Sequence, residues 1–163
     1  MQSIFKRGLE GLKKILVSAC LYGDHVRYDD TDIPCLDERF LKWKREGRLV
    51  PVCPEVFGGL PTPRPDLQRS GDRVIDCMGA DVAEQCTAGA AEAFRLAKEH
   101  EVAFAVMKLG SPSCGSKYIY DGTFTNVRID GVGLAVEYLE NAGFTVFDEH
   151  ELDKAEELLK GSS

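Results

Sequence analysis

Residues 102–109 read VAFAVMKL, an almost unbroken apolar run that leads directly into GSPSCGSKYIYDGTF at residues 110–124. A short apolar run bounded by turn residues is typical of a strand that is buried on both faces of a sheet. Similar runs predict further strands, KILVSAC at 14–20, RLVPVC at 48–53 and FTVF at 144–147, with a shorter one at 73–77. The sequence therefore predicts an interior sheet, in which Pro51 favours a strand end or an unpaired side.

Amphipathic segments separate these strands and predict helices, at residues 35–47, 81–99, 131–141 and 151–160. Asp81 is the expected N-cap of the longest helix. Residues 54–71 are broken by proline and glycine and are expected to form an ordered loop. Alternating strands and helices predict an α/β fold, a single-domain three-layer Rossmann-like architecture with a mostly parallel sheet of four or five strands over residues 14–160.

The composition restricts the classes of partner. The chain has 163 residues and a formal net charge of −7, and it contains no apolar stretch long enough to span a bilayer. An acidic chain without a basic stripe repels a phosphate backbone, so we expect no stable nucleic-acid binding and no membrane association. Residues 1–13 are basic but lack a secretory h-region, and we interpret them as an N-terminal tail or short helix of a cytoplasmic protein. A transit peptide is the weaker alternative, because serine is scarce and Glu10 is present.

Three of the six cysteines follow predicted strands: Cys20, Cys53 and Cys114. Ligands bind beyond the carboxyl ends of the strands in sheets of this type. Since neighbouring strands lie about 5 Å apart, three such thiols can converge on one small inorganic group. Metal or thiol chemistry is more common than disulfides in a cytoplasmic chain.

The cysteine spacing leaves several interpretations open. No C-x-x-C pair occurs, and the three histidines lack the spacing of a structural zinc site. Scattered cysteines can hold an iron-sulfur cluster, and three ligands would leave one iron open as a Lewis acid. Small buried residues at strand ends explain the three cysteines slightly better on spacing alone. The same structural explanation is preferred for the remaining cysteines, Cys35, Cys77 and Cys86.

Four segments together resemble the thiouracil desulfidase family: VSACLYGDHVRYD, PVCPEVFGGLPTPRP, MKLGSPSCGSKYIYDGTF and GVGLAVEYLENAGFTVFDE. They occur in the family's order and extend over residues 14–149. The resemblance implies an iron-sulfur-dependent enzyme that replaces the C=S sulfur of a thiolated uracil by oxygen. The sequence differs from the family at PRPDLQ, where PRPPAE is frequent, and at Gly110, where a basic residue is common. Both differences concern the substrate pocket.

The site residues that the resemblance implies map onto these motifs. Cys20, Cys53 and Cys114 correspond to the three ligands of a [4Fe-4S] cluster, Glu55 to the catalytic acid, and Ser111 to the active-site serine. In the implied reaction, the open iron polarises the thiocarbonyl, Glu55 transfers protons, and sulfide leaves without net oxidation.

The implied substrate is a small thiolated pyrimidine, with free 2-thiouracil favoured over a nucleoside or tRNA base. A zinc or iron-sulfur binding module without catalysis, or a thiol- or persulfide-based sulfur-transfer enzyme, remains an alternative, and the sulfide acceptor is not indicated. A single glutamate is more typical of a solvated loop, and only the place of Glu55 beside Cys53 favours the site role. Ser111 is equally typical of a turn before Pro112. Arg27, Asp29 and Arg64 are candidate pocket-lining groups, whereas Asp121 and Gly122 favour a tight turn.

Overall fold

The computed structural model describes residues 12–161, so most of the segment predicted as a tail at residues 1–13 lies outside it, and the boundary between tail and domain stays a prediction. The strands are β1 Ile15–Ser18, β2 Leu49–Val52, β3 Leu67–Ser70, β4 Arg73–Asp76, β5 Phe104–Val106, β6 Tyr118–Tyr120, β7 Arg128–Asp130 and β8 Val146–Phe147. The helices are α1 Ala19–Tyr22, α2 Glu38–Arg45, α3 Pro54–Phe57, α4 Ala83–Glu99, α5 Leu134–Asn141 and α6 Leu152–Gly161.

A four-stranded parallel sheet in the order β2-β1-β5-β8 forms the centre of the fold. Val17 of β1 pairs with Pro51 on one side and with Val106 on the other, which fixes the register of the three strands. Because the strands are parallel, β1, β2 and β5 all end at the same edge of the sheet. Pro51, which has no N–H to donate, lies in the edge strand β2, as its chemistry predicts.

Two apolar clusters cover the opposite faces of this sheet. Leu16 and Ala105 point to one face, where they pack with helices α4 and α5. Their strand neighbours Ile15, Val17 and Phe104 point to the other face and pack with helices α2 and α6. The strand alternation thus fills both layers with buried side chains and confirms the predicted α/β architecture.

The four predicted helices and the short strand predicted at 73–77 are present, and the differences from the expectations lie in other short elements. The segment at 54–71 contains the short helix α3 and strand β3, and β3 pairs with β4 in a separate antiparallel ribbon. A second antiparallel ribbon, β6–β7, was not predicted. The helix expected from Asp81 begins at Ala83 with Val82 as its N-cap, and Asp81 Oδ1 instead accepts a hydrogen bond from Ala83 N at 2.9 Å. None of the helices within residues 12–161 has the length and apolarity needed to cross a bilayer.

Two glycines allow helices α3 and α4 to touch through their backbones. A Cβ at Gly89 of α4 would lie 1.6 Å from the carbonyl oxygen of Pro54, and one at Gly58 would lie 1.9 Å from that of Gln85. No real side chain fits at these distances. The turn that carries Cys53 and Glu55 therefore rests directly on the main chain of the longest helix.

We expect Gly89→Ala to lower the free energy of unfolding by on the order of 1–3 kcal/mol, because the methyl group forces α3 away from α4. The sign of the change in stability is informative, since helix propensity alone predicts that alanine raises the free energy of unfolding by about 1 kcal/mol. Urea unfolding measures the change. Thr87→Ala, on the exposed side of the same helix, is the control and should be slightly more stable than the wild type, by less than about 1 kcal/mol, through helix propensity alone. A Gly89→Ala protein more stable than the wild type would show that the two helices are not in this contact.

Candidate functional site

A cavity of about 480 Å³ lies at the edge where the parallel strands end. Its wall includes all five site residues named from the sequence: Cys20, Cys53, Glu55, Ser111 and Cys114. They come from the segments that follow β1, β2 and β5, the three strands whose carboxyl ends share this edge. The fold therefore brings together residues that are far apart in the sequence.

The Cys20 and Cys53 thiols are held by short turns immediately after their strands. Cys20 lies in the first turn of α1, directly after β1. Cys53 is the N-cap of α3, where its carbonyl accepts a hydrogen bond from Phe57 N at 2.9 Å and Pro54 occupies the first helical position. Proline is favoured there because its missing N–H has no intrahelical partner to lose. The Cys53 thiol lies 3.9 Å from Val26 O.

The segment SPSCG at residues 111–115 holds the third thiol, and Ser111 closes its turn. Ser111 Oγ accepts hydrogen bonds from Ser113 N and Cys114 N, both at 3.1 Å. The turn rests on the start of α5, where Gly133 N donates to Gly115 O at 2.8 Å and a Cβ on Gly133 would lie 2.3 Å from Ser113 C. Cys114 is therefore placed by main-chain contacts as well as by Ser111.

The three thiols share a poorly hydrated environment and influence one another's charge. Burial raises the pKa of Cys20 to about 11, the neighbouring Cys53 adds to this shift, and Lys108 and Arg27 oppose it. Burial also raises the pKa of Cys114 well above its ordinary value, with further contributions from Cys20 and Cys53. Thiolates are unfavourable in this environment unless a positive charge compensates them. The site therefore suits the binding of a positively charged group that has sulfur ligands.

Glu55 and Arg64 form an ion pair on the wall of the cavity. Arg64 Nη2 lies 2.8 Å from Glu55 Oε2, and the two side chains are only 3% and 15% exposed respectively. Glu55 is therefore not the solvated loop carboxylate that its sequence context alone allows. Arg64 lines the cavity as predicted, and Arg27 does as well.

Other sequence candidates lie elsewhere. Asp29 is absent from the cavity wall among the described residues; its carboxylate accepts hydrogen bonds from Thr31 N and Thr31 Oγ1, and the hydroxyl bond lowers its pKa. Asp121 and Gly122 make the expected turn, in which Asp121 Oδ1 accepts from Thr123 N at 2.9 Å and Gly122 has a φ of 94°.

The cysteines interpreted as structural do not line the cavity within residues 12–161. Cys77 is exposed, Cys35 packs partly buried against the core beneath the sheet, and Cys86 is buried in the core on the other face. Burial raises the pKa of the Cys86 thiol to about 12. In the same part of the chain, no group of three or more His, Cys, Asp or Glu side chains is arranged to hold a single metal ion.

The ribbon β6–β7 supplies cavity residues that the sequence reading missed. Tyr118, Tyr120 and Arg128 all line the cavity. The Arg128 guanidinium lies 4.3 Å from the Tyr118 ring centroid, and the two tyrosine rings meet edge to face at 6.4 Å. Gly110, with a φ of 85°, leaves room for them, since a Cβ there would lie 3.2 Å from the Tyr118 ring. The alternation in YIY and RID is the signal that could have predicted this ribbon.

Fold and site together define a Rossmann-like α/β protein with three cysteines around one cavity at the carboxyl edge of its sheet. Comparison with known proteins narrows this class. A sequence model of the family described as 2-thiouracil desulfurase matches residues 15–151. The chain belongs to the 2-thiouracil desulfurase family.

Two relatives match over most of their length. An uncharacterized protein of Bacillus subtilis (strain 168), YbbK, is 36% identical over 149 residues, which cover 85% of this chain and 97% of YbbK. The solved structure of the [4Fe-4S]-dependent thiouracil desulfidase TudS is 42% identical, with a TM-score of 0.85 over 87% of this chain and 94% of TudS. The resemblance read from the motifs is therefore confirmed at the level of the family and the fold.

The two serines of SPSCG should respond in opposite ways to replacement by alanine. Ser111→Ala leaves two partly buried N–H groups without their acceptor, so we expect it to lower the free energy of unfolding by about 1–3 kcal/mol. Ser113 Oγ is buried without a hydrogen-bond partner among the described residues, so Ser113→Ala should be neutral or stabilising. Urea unfolding of cluster-free protein compares them. Equal losses for both variants would contradict the assigned hydrogen bonds.

Proposed function

We propose that this protein is a thiouracil desulfidase that converts a thiolated uracil and water into the oxygenated base and hydrogen sulfide. The observation that carries the proposal is the convergence of Cys20, Cys53, Cys114, Glu55 and Ser111 on one cavity in a member of this family. The net reaction exchanges C=S for C=O, so it requires no oxidant or reductant.

The residues around the cavity fit a [4Fe-4S] cluster, the cofactor named for TudS. Cys20, Cys53 and Cys114 would hold it through three thiolates, while Arg27, Lys108 and Arg64 supply positive charge that favours these thiolates. When bound, such a cluster with three protein ligands supplies an iron that acts as a Lewis acid toward the thiocarbonyl sulfur.

Glu55 is the proton-transfer group in this proposal. It stands two residues after Cys53, and both line the same cavity, so its carboxylate is tethered close to the cluster ligand. Glu55 takes a proton from the attacking water at the ring carbon. It returns this proton to the sulfur, and it then carries the second proton from the new hydroxyl group to the sulfur as the carbon-sulfur bond breaks, so that hydrogen sulfide leaves and the carbonyl group remains.

Ser111 has a more limited role in the reaction than Glu55, and its hydrogen bonds define that role. A hydroxyl has two acceptor lone pairs and one donor hydrogen. Both lone pairs of Ser111 Oγ are directed at Ser113 N and Cys114 N. The hydroxyl hydrogen remains for the substrate or for the attacking water, so Ser111 acts as a hydrogen-bond donor and not as a base.

Free 2-thiouracil is the substrate we favour. A cavity of about 480 Å³ falls within the usual range for small-molecule sites and is large enough for a single-ring base. The net charge of −7 disfavours a tRNA substrate, which carries its own negative charge. A cytoplasmic location, with thiols kept reduced, suits the three cysteines and remains part of this proposal.

Alanine at Cys20, Cys53 or Cys114 should abolish cluster binding after anaerobic reconstitution, because each removes one of three thiolate ligands. Iron and sulfide analysis, together with absorbance near 400 nm, measures the result. Alanine at Cys35 or Cys77 is the control and should leave the iron and sulfide content near wild type. Loss of the cluster in Cys35→Ala as well would indicate a fourth ligand and contradict the open iron. A colourless, iron-free wild type would exclude the cluster.

Glu55→Gln should lower turnover on the order of 10²-fold or more, since the amide keeps the shape and hydrogen bonding of the side chain but cannot carry the proton. The assay follows loss of thiouracil absorbance and release of one sulfide per uracil under anaerobic conditions. Iron content of the same sample should match the wild type. Unchanged turnover would remove Glu55 from the mechanism, and lack of sulfide release by the wild type would refute the proposed function.

A further inference from the structure

Arg64 joins three segments that surround the cavity. Its Nη2 donates to Glu55 Oε2 at 2.8 Å and to Val26 O at 2.9 Å, while its backbone N donates to Tyr28 O at 2.7 Å. Its Nη1 donates to Pro61 O at 3.2 Å and to Thr62 Oγ1 at 3.1 Å. The side chain thus ties the loop after Cys20 to the turn after Cys53.

The guanidinium is fixed on every side except at Nε. Arg64 is 8% exposed, and its Nε is buried without a hydrogen-bond partner among the described residues. A buried N–H that lacks a partner is unfavourable by about 1–3 kcal/mol, so a purely structural arginine would be expected to use it. Arg64 is among the residues that line the cavity, next to Glu55.

Glu55 needs such a support because its own element is short. It stands in α3, a helix of four residues, and a glutamate side chain has several rotatable bonds. The planar fork of an arginine fixes a carboxylate oxygen in direction as well as distance, which a lysine ammonium does not. Val26 O accepts from the same Nη2 that contacts Glu55, and Pro61 and Thr62 hold the other arm of the fork, Nη1.

We propose that Arg64 is the positioning residue for Glu55: it holds the carboxylate toward the reacting atoms in the cavity. This inference rests on the proposed function, because it assigns to Arg64 an effect that passes through Glu55. Misplacement of a reacting group by about 1 Å can lower turnover on the order of 10²-fold. Arg64 therefore contributes to kcat without touching the substrate carbon.

A double-mutant cycle tests this dependence. Arg64→Lys keeps the charge but loses the fork, so we expect kcat to fall roughly 10- to 100-fold with normal iron content. In a Glu55→Gln background the same substitution should leave kcat unchanged, since the proton carrier is already missing. An equal loss of kcat in both backgrounds, or wild-type kcat in Arg64→Lys, would overturn the proposal.

The control is Arg48→Lys at the opposite edge of the sheet. Arg48 is also 8% exposed, donates to Lys13 O at 2.9 Å and lies 3.5 Å from Glu46 Oε1. It should lose stability without a change in kcat. If Arg64→Lys does not fold, Thr62→Ala removes one support of the fork and should cause a smaller kcat loss that also disappears with Glu55→Gln. Persistence of that loss would contradict the proposal.

A second readout does not depend on activity. Urea unfolding of the cluster-free single and double variants measures whether Arg64 and Glu55 are coupled in the folded protein. Because the two side chains form an ion pair, we expect the effects of the two single substitutions on the urea midpoint not to add up in the double variant. Additive effects would overturn the positioning role. If the wild type released no sulfide, the proposed function would fail, while the urea cycle would still report on the contact itself. If only the Arg64 cycle failed, the desulfidase proposal would stand.

Discussion

The parallel pairing of β1 with β2 and β5 is the constraint on which the site depends. It makes three strands end at one edge of the sheet, so the residue types that follow those strands must meet. Cys20, Cys53 and Cys114 come from positions distant in sequence and reach the same cavity for this reason. Cys20 and Cys53 follow their strands within two residues, whereas Cys114 is held in place by its turn and by the start of α5. Ligands in parallel sheets of this type bind beyond the carboxyl ends of the strands, which agrees with a site at this edge.

The electrostatics of the cavity follow from this convergence. Burial raises the pKa of all three thiols, Cys20 and Cys53 raise the pKa of Cys114 further, and Glu55, which is negative when ionised, raises the pKa of Cys53. Arg27, Lys108 and Arg64 offset part of this charge. Burying so many ionisable groups together is unfavourable for stability, so a purely structural role does not explain their presence. The same arrangement suits a cationic inorganic group with a proton carrier beside it.

The sequence was sufficient to predict the features that repeat or alternate. Apolar runs located the four strands of the parallel sheet, and their ends located the three thiols. Of the β3–β4 ribbon only β4 was predicted, and the β6–β7 ribbon was harder still, because its strands have only three residues each and are separated by a long turn. The ion pair between Glu55 and Arg64 could not be predicted either, since no local sequence pattern indicates a contact across the loop at 54–71. Ser111 was read as either a turn former or a site residue, and its hydrogen bonds show a turn former that lines the cavity.

The contacts of Gly89 with Pro54 and of Gly133 with Ser113 distinguish two parts of the site: the backbone that holds the cysteines and the side chains of the opposite wall. Two of the cysteine turns are held against helices by main-chain contacts that only glycine permits at positions 89 and 133. The opposite wall, formed by Tyr118, Tyr120 and Arg128 of the β6–β7 ribbon, instead consists of side chains. Side chains of that wall can therefore be exchanged with little effect on the backbone around the cysteines, whereas any side chain at position 89 or 133 would displace it.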